Sequence, residues 1–179
     1  MKDVPVAGTR NFALIGHSGD GKTSLGEAIL FEAGALSSLG DVTSGSAALT
    51  TLPEEKERQG PTTSTSVYAF DHDGRHLTMV DTPGDPNFQS DGALALHALD
   101  GALLVVSAVD GAKVGTERMF RPARELGLAV LAFVNGMDRD RADFDAAVLS
   151  LVDIGAKPVP LTLPIVADVA VAHDHETAA

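Results

Sequence analysis

Residues Gly16-His17-Ser18-Gly19-Asp20-Gly21-Lys22-Thr23 satisfy the spacing G-x-x-x-x-G-K-[ST] at every defined position. Each residue type in that spacing has a task. The glycines let backbone N–H groups turn inward around a polyphosphate, the lysine reaches its outer oxygens, and the threonine hydroxyl is a hard ligand for Mg²⁺. The apolar run Phe12-Ala13-Leu14-Ile15 precedes the loop and the helix-like segment from Ser24 to Leu30 follows it. Strand, loop and helix therefore come in the order a phosphate cradle requires. The spacing is not the G-x-G-x-x-G fingerprint of a dinucleotide site, which would also leave Lys22 and Thr23 unexplained.

Two further tetrapeptides add to it. Asp81-Thr82-Pro83-Gly84 follows an apolar strand, a placement that puts a carboxylate beside the Mg²⁺ and a glycine N–H near the terminal phosphate. Asn135-Gly136-Met137-Asp138 follows the last strong strand. An aspartate there can accept hydrogen bonds from guanine N1–H and the 2-amino group, a donor pair that adenine lacks, so guanine is favoured. Either tetrapeptide alone is also an ordinary turn or strand exit. Their order after successive strands carries the inference.

The elements that must position these residues are legible as periodicity. Val67 to Phe70 and His76 to Val80 are apolar segments joined by Asp71-His72-Asp73-Gly74, and Asp-Gly signals an antiparallel hairpin. Leu103 to Val106 and Ala129 to Val134 are nearly continuous apolar runs of the buried parallel type. Helical patterns cover Phe88 to Leu99 and Thr116 to Leu126, the second with a kink expected at Pro122 and a stop at Gly127. This alternation predicts an α/β fold with a doubly wound, mostly parallel sheet and helices on both faces.

Composition excludes several classes. With no cysteine among 179 residues, disulfides, thiolate catalysis and zinc–thiolate sites are ruled out, and a reducing, cytoplasmic setting is expected. The start, Met1 to Pro5, has no apolar signal core, and the longest strongly apolar stretch, near Ala102 to Val109, is far shorter than a membrane span. A formal charge of −12 repels phosphate backbones, so direct nucleic-acid binding is not expected. His173 and His175, flanked by Asp174 and Glu176, are better explained as a solvated tail than as metal ligands, and Asp71-x-Asp73-Gly74 lacks the remaining ligands of a calcium loop.

From about Arg10 to Ile165 the chain resembles the translational GTPases, specifically elongation factor G and its paralogues. The resemblance rests on Gly16 to Leu25, Val80 to Gly84, Leu99 to Ala102, Ala132 to Asn135, Met137 to Arg139 and the Pro158 to Ile165 stretch. It implies a GTPase-type P-loop domain that converts GTP to GDP and phosphate with Mg²⁺, within a longer parent that works on the ribosome. Site residues follow by the same resemblance. The nucleotide is held by Gly16 to Ser24, by Asp81, Thr82, Pro83 and Gly84, and by Asn135, Gly136, Met137 and Asp138. Lys22, Gly84 and Asp85 take the catalytic positions, and Thr23, Asp81 and Thr62 the metal. Glu54 to Ser66 is similar to the first switch, with Thr62 as its metal-ligating threonine and Thr63 the fallback.

Departures from the family pattern carry expectations of their own. Asp85 stands where the family has a water-positioning histidine, and Pro86-Asn87 where Val-Asp is usual, so slow hydrolysis is expected. Gly136 replaces a lysine whose stem would cover the base, so weaker binding is expected. Gln59-Gly60-Pro61 differs from the usual Arg-Gly-Ile-Thr run. The nucleotide domain is assigned to residues 1–165 and a tail to 166–179, with the family's final strand and helix expected to be missing. The alternation of Val159, Leu161, Leu163 and Ile165 is a candidate edge strand, since its prolines are tolerable only at an edge. Two alternatives stand beside the hydrolase: a nucleotide-binding module without useful hydrolysis, and an inactive fragment.

Overall fold

β1 (Thr9–Gly16) is the central strand, and its sequence shows why. Ala13, Leu14 and Ile15 are all fully buried, so both of its faces must be covered. In the computed structural model, which describes residues 5–41, 45–49, 62, 64–85, 87 and 89–165, β1 pairs in parallel with β3 (Arg75–Asp81) on one side and β4 (Gly101–Ser107) on the other. Leu14 thereby lies opposite both Asp81 and Leu103. β2 (Ser66–His72) adds antiparallel to β3, and β5 (Ala129–Asn135) adds parallel to β4, giving the order β2-β3-β1-β4-β5. The β2–β3 hairpin turns through Asp73 and Gly74, both at positive φ (46° and 72°), as the two central positions of a type I′ turn demand.

Period-2 alternation sends side chains to two separate cores. Ala13, Ile15, Val80, Leu104 and Val106 pack with Met119, Phe120 and Ala123 of α3 (Val114–Glu125) and Leu151 of α4 (Phe144–Asp153). On the other face Leu14, Met79 and Phe70 pack with Leu30 of α1 (Lys22–Glu32) and with Leu49. Helices thus cover both faces, as the doubly wound expectation requires. α2 (Gln89–Ala95) continues into a 3₁₀ turn at Leu96–Ala98. α3 runs through Pro122 as one helix, starting two residues before the apolar pattern suggests. No helix among the described residues is long and apolar enough to cross a membrane.

Two expectations change. Val159 to Ile165 forms no strand. Pro158, Pro160 and Pro164 break the donor ladder, and Val159, Leu161, Leu163 and Ile165 are all strongly exposed. The segment instead flanks an apolar groove beside Leu131 and Phe133, leaving β5 as the edge of the sheet among the described residues. α4 has no counterpart in the sequence expectations. Its signal is present: Asp143 caps it by accepting from the Ala146 N–H at 2.9 Å, and Phe144, Ala147, Val148 and Leu151 follow helical spacing. The assignment of residues 166–179 lies outside the described residues.

A buried carboxylate fixes the segment at residues 48 and 49. Glu27 of α1 is 1% exposed, and its Oε1 accepts the Leu49 N–H at 2.6 Å. Ser66 Oγ donates to Leu49 O, and the Tyr68 hydroxyl donates to Ala48 O. Residues 48 and 49 are therefore tied to both α1 and β2.

Candidate nucleotide site

The carboxyl ends of β1, β3, β4 and β5 lie along one edge of the sheet, where open α/β folds place ligands. β1 delivers the phosphate loop there. Gly21 takes a left-handed conformation (φ 90°) just before α1, and a Cβ on it would overlap the Asn135 amide. Lys22 opens α1, and its Nζ donates to His17 O at 2.8 Å, so the loop closes around its own lysine. Only 6% of Lys22 is exposed. Burial pushes its pKa down, against the opposing charges of Asp81 and Asp20. The cradle therefore joins a desolvated cation to the N-terminal end of a helix.

Thr23 is one residue further along α1. Its hydroxyl donates to Asp81 Oδ2 at 2.8 Å and lies 3.0 Å from the Thr62 hydroxyl. Asp81, at the end of β3, is fully buried. Three hard oxygen donors, one of them anionic, thus converge beside the loop. This donor set fits Mg²⁺, which takes one or two protein carboxylate or hydroxyl ligands and completes its shell with phosphate oxygens and water. Among the described residues no cluster of three or more His, Asp or Glu side chains suggests a different metal. Residues 54–61 and Thr63 of the first-switch assignment lie outside the described residues.

Thr82 is anchored twice to Leu14 O, by its N–H at 3.3 Å and its hydroxyl at 2.7 Å. Pro83 and Gly84 follow, both buried, and Gly84 packs onto the phosphate loop. A Cβ there would overlap Lys22 Nζ and come within 2.7 Å of Ser18 N. Asp85 closes a local turn, its Oδ1 accepting from Asn87 N at 2.8 Å and Asn87 Nδ2 at 2.9 Å. Asn135, at the end of β5, donates from Nδ2 to Asp20 O at 2.8 Å, so the fifth strand holds the loop directly.

Beyond Asn135 the arrangement is looser. Asp138 is exposed, and Gly136 has φ 78°. The Arg139 side chain lies over Gly136, its Cδ 3.2 Å and Nε 3.3 Å from where a Cβ would stand. Gly16 to Thr23, Thr62, Asp81 to Gly84 and Asn135 are therefore gathered at one place. Ser24 is exposed on α1, Met137 lies beside the groove along β5, and Asp138 sits three residues past the nearest contact with the loop.

Lys113, absent from the sequence expectations, also reaches the loop, with Asp110 behind it. Lys113, just before α3, pairs with Asp20 Oδ1 at 3.2 Å and Asp110 Oδ2 at 2.7 Å. Burial pushes the Asp20 carboxyl up, and the Lys113 ammonium partly offsets this. Burial alone would lower Lys113, but hydrogen bonds and charge from Asp110 and Asp20 outweigh it and raise the group. The usable sequence signal was position: Asp110 and Lys113 follow a buried parallel strand at its carboxyl end.

Residues 7–162 match the Elongation factor Tu GTP binding domain family. The chain is 37% identical over 165 residues to elongation factor G of Salinibacter ruber, covering 92% of this chain and 23% of that factor. It also superposes on a crystal structure of a Thermus thermophilus protein with a TM-score of 0.75 at 37% identity, covering 80% of this chain and 22% of that one. The chain thus spans about a quarter of the length of these relatives.

Proposed function

Because the chain belongs to the elongation factor Tu GTP-binding domain family, we propose that it binds GTP and GDP with Mg²⁺ and hydrolyses GTP slowly, as part of a translation factor acting on the ribosome. The single observation that carries this reading is the convergence of Lys22, Thr23, Thr62 and Asp81 at the carboxyl edge of the sheet. Lys22 and the loop amides hold the outer phosphates, with Lys22 exchanging its bond to His17 O for phosphate oxygens. Thr23, Thr62 and Asp81 would hold the metal, which when bound would neutralise phosphate charge. Gly84 presents its backbone N–H to the terminal phosphate, close to Lys22. Asn135 keeps the loop in register with β5, and Asp138 reads guanine.

A second reading, binding without useful hydrolysis, is favoured by Asp85. Its carboxylate is occupied by Asn87, and a negative charge beside a γ-phosphate opposes the developing charge of the reaction. Calorimetric titration of GDP, GTP and ATP with Mg²⁺, followed by phosphate release on GTP, tests both readings. Guanine-selective binding with slow turnover that rises in Asp85→His supports the hydrolase. Binding with no turnover in either protein supports the module. No binding by the folded chain overturns both.

Asp138→Asn is expected to lower the GTP-over-ATP preference by about 10–100-fold, since it trades an anionic acceptor of two hydrogen bonds for a neutral group that is partly a donor. The same titration reads it. An unchanged ratio would remove Asp138 from the base site.

A further inference from the structure

The phosphate loop carries a carboxylate of its own. Asp20 lies two residues before Lys22, its side chain is fully buried, and its Oδ2 has no hydrogen-bond partner among the described residues. A buried anion inside an anion-binding loop works against the ligand, because it weakens the positive potential that Lys22 supplies. The structure meets this charge with Lys113, 29% exposed and 3.2 Å from Asp20. Lys113 is itself placed with care. Its N–H donates to Thr116 Oγ1 at 3.1 Å, its ammonium pairs with Asp110, and the Asp110 N–H donates to Ser107 Oγ at 3.2 Å at the end of β4. A cation at the start of a helix has the wrong sign for the helix dipole, so the two carboxylates account for its presence there.

The contact extends along the first turn of α3. A Cβ on Gly115 would come within 3.2 Å of His17 Cα, so that turn packs against the start of the loop while Lys113 grips it at Asp20. Asn135 holds the Asp20 carbonyl from β5. The outer side of the loop is therefore clamped from two elements, one contact being ionic.

Resting on the reading of the cradle as a guanine-nucleotide site, we propose that Lys113 is a positioning residue for nucleotide binding, holding Asp20 outward and neutralising its charge so that Lys22 and the loop amides face the phosphates. Lys113 touches no phosphate. It acts through Asp20, and the loop holds nucleotide more weakly when the Asp20 charge is left without its cation.

The test is GDP titration with Mg²⁺ into the whole chain and four variants, each checked for folding by its thermal melt. Lys113→Met weakens GDP binding about 10–30-fold, and Lys113→Arg recovers it to within about 3-fold. Asp20→Asn combined with Lys113→Met also recovers binding to within about 3-fold, because a neutral amide needs no cation. In the Asp20→Asn background the further change Lys113→Met alters GDP binding by less than about 3-fold, since no loop charge is left to neutralise, and this comparison keeps the proposal testable should Lys113→Met alone fail to fold. Wild-type affinity in folded Lys113→Met overturns the proposal, as does a double variant as weak as Lys113→Met alone, or a loss beyond about tenfold when Lys113→Met is added to Asp20→Asn. If the natural chain binds no GDP, the nucleotide reading itself falls, a result distinct from these.

Discussion

Lys22→Met is expected to abolish measurable GTP and GDP binding while the chain stays folded. The methionine keeps the length and apolar stem of the lysine and removes its charge. In the bound state the ammonium donates to more than one phosphate oxygen, and each charge-assisted hydrogen bond is worth roughly 1.5–3 kcal/mol. Two such bonds amount to a loss on the order of 10³-fold in affinity. Stability should move in the opposite sense to function. Lys22 is buried and desolvated, so removing its charge relieves a burial penalty, although it also removes a cation near Asp81 and Asp20. Calorimetric titration and a thermal melt of the ligand-free protein separate the two effects. Nucleotide binding within tenfold of the natural chain would show that Lys22 does not contact phosphate.

Gly16→Ala is expected to cost about 2–4 kcal/mol of stability, lowering the melting temperature by about 10 °C. Gly16 ends β1 at φ 145°, and a Cβ there would overlap the carbonyl oxygen of Val105, its partner on β4. That neighbour is backbone within a paired strand, so it cannot rotate aside. Gly74→Ala is the control. It is also at positive φ (72°), yet a Cβ there meets nothing within 4 Å, so the substitution carries only the backbone penalty of about 1 kcal/mol. Urea unfolding of both variants measures the difference. Equal losses would mean that conformation, not the approach of β4, is what requires glycine at position 16.

The contrast between these sites shows what was legible in the sequence. Local chemistry was readable: the glycine–lysine spacing of the loop, Asp-Gly at the hairpin tip, and the apolar runs of β4 and β5 each follow from interactions within a few residues. The pairing of Asp20 with Lys113 was not, because 93 positions separate them and only the folded sheet brings β1 and β4 ends together. Val159 to Ile165 shows the opposite limit. Its alternation predicts a face but supplies no partner, and two prolines within it remove donors that pairing needs. Asp85 shows a third. Its chemical type was plain, but the direction of its carboxylate depended on the turn to Asn87.

The strand order has a consequence for the nascent chain. Leu14, two residues before the phosphate loop begins, is completed by neighbours in β3 and β4, the latter 89 positions later at Leu103. At about 5–20 residues added per second, β1 waits roughly 5–18 s after its own synthesis before both of its neighbours exist. During that interval the apolar run Phe12 to Ile15 has no sheet to enter, and it is a natural client for a holding chaperone. The loop that lies nearest the start of the chain is therefore among the last parts of the domain to acquire its shape.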